Sequence, residues 1–175
     1  MAMDKNLFRQ VMGHFATGVT IVSAPTPEGA HGLTVNALSS VSLDPPIVLV
    51  CIEHDRYSHQ LIRQAGCFAV NVLNEKQRHW AERFSGLHAE EARFEGIRYR
   101  REATGAAVFD EALAYLDCHV VAAHPAGDHT IFVGQVEAAG LGPAGRPLLF
   151  YGGRYLPLIE TPAEEAKDLR GEDYP

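Results

Sequence analysis

The chain has no run approaching ~18 apolar residues, the length a membrane-crossing helix needs. Its first residues, Met-Ala-Met-Asp-Lys-Asn, also lack the apolar stretch of a secretion signal. Together these absences lead us to expect a cytoplasmic protein with no membrane partner. Cysteine is scarce: Cys51, Cys67 and Cys118 form an odd set without C-x-x-C spacing, each inside an apolar run. They read as small buried hydrophobes. Positive charge is short as well. A net charge of -7 over 175 residues argues against nucleic acid, because phosphate contacts need a basic surface. There is no P-loop, no serine nucleophile elbow, no internal repeat and no linker.

Charge and composition then say what is present. Glu160 to Pro175 carries six acids against Lys167 and Arg170, which accounts for -4 and leaves the body at -3. Residues 1–158 are expected to form one domain, and 159–175 an acidic, poorly ordered tail. Hydrophobic residues make up 46%, enough for a core without disulfides. Sixteen Gly and ten Pro are scattered along the chain and signal many turns, hence many strands.

Asp4 can cap a helix whose apolar positions, Leu7, Phe8, Val11, Met12 and Phe15, predict one buried face. Gly18 to Ala24 reads as a strand ending at the Pro25–Gly29 turn, and a second strand begins near His31. After Asp44-Pro45-Pro46, the run Ile47 to Ile52 has no alternation and predicts a strand buried on both faces. Ser58 is expected to cap a helix closed by Gly66, and Asn74 to cap another carrying Gln77, Trp80, Ala81 and Phe84. Gly86 to Gly96 reads as a polar loop. Strands are expected at 67–73, 112–123, 130–139 and 148–156. Consecutive strands outnumber strand–helix alternations, which favours a mainly β, antiparallel barrel with a few short flanking helices.

Two patterns are set aside. Gly140-Leu141-Gly142-Pro143-Ala144-Gly145 matches G-x-G-x-x-G, but a dinucleotide fingerprint needs a helix to follow, with free amides facing the pyrophosphate. Pro143 and Pro147 remove amides and the next residues read as strand, so a hairpin turn is expected. His119, His124 and His129 are spaced by five, which shares no face on a strand or a helix. No Cys or acid pair completes a ligand set, and no metal is expected.

Several segments, in order, carry a resemblance. They are Phe15-Ala16-Thr17-Gly18-Val19-Thr20, the stretch Gly32 to Pro46 (GLTVNALSSVSLDPP), Phe68 to Leu73 (FAVNVL), Gly127 to Gly134 (GDHTIFVG), and Pro147 to Tyr151 with Gly153-Arg154-Tyr155. Across about residues 7 to 158 the chain resembles the short-chain flavin reductases that serve two-component flavin-dependent monooxygenases. The resemblance implies a split β-barrel of the FMN-binding type, FMN or FAD as flavin, and NADH or NADPH as hydride donor. It also implies a homodimer and a separate oxygenase that receives the reduced flavin. The alternatives are a pyridoxamine-phosphate-oxidase-like flavoprotein, disfavoured because residues 31 to 60 hold only Arg56 as a basic side chain besides histidine, and a flavin-binding module without turnover.

The same resemblance points to residues. Read on its own, Thr34 to Ser40 combines small apolar side chains with hydroxyl and amide groups, which suits a flat ring with polar edges. The resemblance places flavin contact on Thr34, Val35, Asn36, Ala37 and Ser40. It puts the flavin phosphate in the loop after the strand ending near Cys51, with Arg56, Tyr57, Ser58 and His59. A free helix start at Ser58 would suit that anion, whereas Glu53 and Asp55 depart from the family's pattern and would repel it. Phe84 would border the flavin. His129 is expected beside the nicotinamide as the catalytic-site histidine, with Tyr155 at the same mouth.

Overall fold

In the computed structural model, residues 3–87 and 93–159 are described. The expected acidic tail lies outside the described residues, Ile159 excepted. Helix α1 (Lys5–Gly13) opens the chain and is capped as expected: Asp4 accepts a hydrogen bond from the Asn6 amide at 2.7 Å. Strands β1 (Thr17–Gly18), β2 (Thr20–Thr26), β3 (Gly29–Val35), β4 (Leu38–Leu43) and β5 (Pro46–Glu53) follow. Next come α2 (Tyr57–Ala65), β6 (Cys67–Val72) and α3 (Arg78–Glu82), the last flanked by a 3-10 turn and by a π-type turn, Arg83–Leu87. The chain then runs through β7 (Tyr99–Arg101), β8 (Ala107–Phe109), β9 (Ala114–Ala126), β10 (His129–Leu141), β11 (Leu148–Tyr151) and β12 (Arg154–Pro157).

Seven strands form one sheet in the order β3-β2-β6-β9-β10-β5-β4, antiparallel throughout. A second sheet, β1-β11-β12, and the β7-β8 pair lie beside it, giving a split barrel. The seam is stitched by backbone bonds among Val19, Leu73 and Leu148. Strand β2 shows why so many apolar residues are needed without alternation. Its Val22 and Ala24 enter the core inside the large sheet, while Ile21, together with Val19 just before the strand, enters a second core with Trp80, Phe84, Phe109 and Leu148. Successive side chains of a strand point to opposite faces, so a strand between two cores is apolar on both.

The structure corrects several expectations. The apolar side of α1 is not buried: Leu7, Phe8, Val11, Met12 and Phe15 are between 49% and 68% exposed, because none of the described residues covers them. Strand β5 is not buried on both faces but alternates, with Val48, Val50 and Ile52 inside and Ile47, Leu49 and Cys51 half-buried. Residues 142–147 are not a hairpin turn. They carry the chain from β10 in the large sheet to β11 in the small one, held by the Gly142 amide donating to Leu113 O and by an Asn74–Pro147 bridge. The expected single strand over 148–156 is two, β11 and β12. They are joined through Gly152 and Gly153, whose φ angles of 57° and 75° fit the tight turns that match strand twist.

Candidate functional site

The end of β3 and the residues leading into β4 form one wall of a cleft of about 290 Å³, at the lower end of the roughly 300–1,000 Å³ common for ligand sites. Leu33, Thr34, Val35, Asn36 and Ala37 make that wall; Cys51, Ile52 and Glu53 of β5 make the floor. His129, at the first position of β10 and paired in register with Glu53, stands at the far side. Phe150 and Tyr155, cross-strand partners on β11 and β12 with ring centroids 5.5 Å apart, close the cleft from the small sheet.

Local bonding fixes the wall. Thr34 donates its hydroxyl hydrogen to Ala81 O at 2.7 Å, tying β3 to α3, and the Cys51 amide donates to Ala37 O at 3.1 Å. The Asn36 side-chain amide donates to Thr17 Oγ1 at 3.3 Å. At the far side, His129 Nδ1 lies 2.6 Å from Asp128 Oδ1, and this bond holds the Asp128 carboxyl below its ordinary range. Burial pushes the Cys51 thiol up, so it stays protonated and inert as a nucleophile. Burial, followed by the nearby Glu82, likewise raises Tyr155 and keeps it a neutral phenol.

Two further cavities adjoin the cleft. One, of about 180 Å³, shares Leu33 and Arg56 with it and is lined otherwise by His31, Asp55, Tyr57, Ser58, Gly86 and Arg93. The other, of about 630 Å³, shares Asn36, Ala37 and Cys51 and opens toward Met12, Phe15, Leu38 and Leu49.

Of the residues expected from sequence, the cleft brings together Thr34, Val35, Asn36, Ala37, Cys51, Arg56, His129 and Tyr155. Tyr57 and Ser58 line the smaller cavity instead. Ser58 is not the helix cap. Arg56 occupies that position without a side-chain bond, and the buried Ser58 hydroxyl is hydrogen-bonded to His31 Nε2 at 2.7 Å. His59 lines neither cavity; it is buried, with Nε2 2.9 Å from Thr130 Oγ1 and its ring 5.4 Å from Phe132. Phe84 is fully buried among Phe94 and Phe109, behind the cleft wall. Ser40 is exposed on β4, outside the cleft. Sequence reading missed Phe150 and Ser85 in the cleft and Arg93 in the smaller cavity. Only the aromatic in Leu-Leu-Phe-Tyr gave any hint; Ser85 and Arg93 sit in segments without periodicity.

Residues 12–158 match the model of the flavin reductase like domain. The chain belongs to that family. It is 38% identical over 172 residues to the reductase subunit HsaB of a flavin-dependent monooxygenase from Mycobacterium tuberculosis, an alignment covering 95% of this chain and 91% of that one. A crystal structure of a nitrilotriacetate monooxygenase component B homologue from Mycobacterium thermoresistibile superposes with a TM-score of 0.87 at 35% identity, covering 97% of this chain and 93% of that one. The NADH:FAD oxidoreductase SgcE6 of Streptomyces globisporus, solved with NAD and FAD fragments, superposes with a TM-score of 0.83 at 35% identity, covering 93% and 96%. Membership of the flavin reductase like family accounts for the split barrel.

Proposed function

We propose that this flavin reductase binds flavin in the cleft between β3 and β10 and transfers hydride to it from NADH, releasing reduced flavin to a separate monooxygenase. The cofactors supply the chemistry, a hydride passing from the nicotinamide to flavin N5. The chain supplies position. The Thr34–Ala37 wall is low and fixed from behind by the Thr34–Ala81 bond, so a flat ring can lie against it. His129 faces the wall from β10 with its Nδ1 committed to Asp128, which leaves Nε2 for the nicotinamide. No side chain of the cleft has to exchange a proton with the reacting atoms.

The observation that carries this reading is the convergence of Thr34, Asn36, Ala37, His129 and Tyr155 on one cleft, from strands far apart in sequence. The test is NADH consumption with FMN, FAD and riboflavin, repeated with NADPH. Absence of flavin-dependent NADH oxidation would remove the reading.

The protein acts as a homodimer in this proposal. The bare face of α1 and the cavity at Leu38 and Leu49 form an apolar surface continuous with the flavin cleft through Asn36, Ala37 and Cys51. Surfaces of this kind are rare on monomers. A second copy seated there would close the open side of the ring site. Sedimentation at micromolar concentration should give a dimer; a clean monomer would refute it. Three unpaired thiols, Cys51, Cys67 and Cys118, agree with a reducing compartment such as the cytoplasm.

A further inference from the structure

Glu53 is the odd residue in the cleft: a carboxylate in a site for an anionic ligand. Its Oε2 accepts a hydrogen bond from Arg56 Nε at 2.9 Å. Among the described residues, Arg56 is the only cation shared by the cleft and the smaller cavity. Its Nη1 reaches toward Gly86 in that cavity, standing 3.2 Å from where a Cβ on residue 86 would lie. A guanidinium presents its donors as a rigid planar fork, so fixing Nε fixes the direction of both Nη groups. A competing carboxylate is close by, since Asp55 lines the same small cavity.

We infer that Glu53 is a positioning residue: by holding Arg56 at Nε, it aims the outer guanidinium into the small cavity, where the flavin phosphate is read. This inference rests on the flavin site proposed above. A ring in the cleft would extend its ribityl arm past Arg56 to the small cavity, where Arg93 and the first turn of α2 also converge. With its Oε2 bound to the guanidinium, the Glu53 charge is largely neutralised toward that phosphate. Without Glu53, Arg56 is released to turn toward Asp55, and the phosphate loses a charged donor.

The test compares FMN with riboflavin, which differ only by the phosphate, through quenching of flavin fluorescence. The quantity of interest is the affinity ratio, FMN over riboflavin, in folded variants checked by circular dichroism. The wild type should prefer FMN. Arg56→Ala and Glu53→Ala should each lower the ratio about tenfold, as expected for one lost hydrogen bond to a charged group. Glu53→Gln, which keeps an acceptor for Nε but no charge, should hold the ratio within about twofold of wild type. A higher ratio in both Glu53 variants would show that the carboxylate merely repels phosphate, and would overturn the inference. An unchanged ratio in Glu53→Ala, equal weakening of both ligands, or no FMN preference in the wild type would overturn it as well. If the wild type bound neither ligand, the flavin site itself would be wrong, a distinct failure.

Discussion

Phe84 occupies the space that a side chain on Gly32 would need. An ideal Cβ at position 32 would lie 2.6 Å from Phe84 Cε1 and 2.7 Å from Cδ1. Gly32 and Thr34 share one face of β3, so the buried Phe84 ring and the Ala81 carbonyl together brace the cleft wall from behind.

Gly32→Ala should therefore force the ring or the strand to move. Overpacking of this kind costs about 1–3 kcal/mol. Urea unfolding should show a lower midpoint, and flavin affinity should fall because the wall shifts. An unchanged midpoint would mean that the ring moves freely.

Ala37→Trp should retain the fold and lose flavin binding, because Ala37 is exposed at the cleft and an indole there fills it. Thr34→Val should keep part of the binding while losing about 1 kcal/mol of stability, the usual worth of a hydrogen bond. Flavin titration beside circular dichroism separates the two. Full activity in the Trp variant would show that the ring lies elsewhere.

That Thr34 to Ala37 and His129 belong to a flavin site follows from the family resemblance, not from any local pattern. The strands that carry them are legible because their β-branched and apolar content marks them. The strand at 67–73 was found for the same reason, since β6 passes between two cores. What failed was reading where turns lead. The Gly- and Pro-rich segment 140–147 marked a change of direction, but not that β11 would join Val19 and Leu73 rather than β10. Ser58 reads as a cap because a serine near a helix start looks alike at the cap and two positions beyond it. Its hydroxyl instead meets His31 from β3, a contact between elements that periodicity does not encode. The exposed face of α1 shows a related limit: amphipathicity says that a face is to be covered, not by which chain.

Asn71 should be among the costliest positions to change outside the cleft. Fully buried on β6, it accepts from the Phe109 amide at 2.7 Å and donates to Ile21 O and Ala107 O, both at 3.2 Å. Asn71→Leu takes the acceptor from the buried Phe109 amide and one donor each from Ile21 O and Ala107 O, the latter keeping the Ser23 hydroxyl, at a cost of roughly 1–3 kcal/mol. Chemical denaturation measures it, and a loss below about 1 kcal/mol would show that the groups find other partners.

His59 should make stability fall in mild acid. Burial lowers its affinity for a proton, and His54 and Arg63 act in the same direction. The unfolded ring protonates near its ordinary value of about 6.5. Between that pH and the lower folded value the unfolded state binds more protons, so stability drops as pH falls and levels off once the folded ring is charged. His59→Gln should flatten the change in urea midpoint between about pH 7.5 and about pH 5.5. Parallel profiles for the two proteins would assign the pH dependence to other groups.

The closing hairpin has a consequence for the order in which the protein is made. Phe150 and Tyr155 are the cleft's contribution from the small sheet, in which β11 lies between the earliest strand, β1, and the last, β12. A growing chain can assemble the seven-stranded sheet once β10 has emerged, yet it has no finished cleft until residue 155 is out. A ribosome-bound chain halted before β11 should thus be structured but blind to flavin, so that ligand can stabilise only a protomer whose synthesis has passed its final strand.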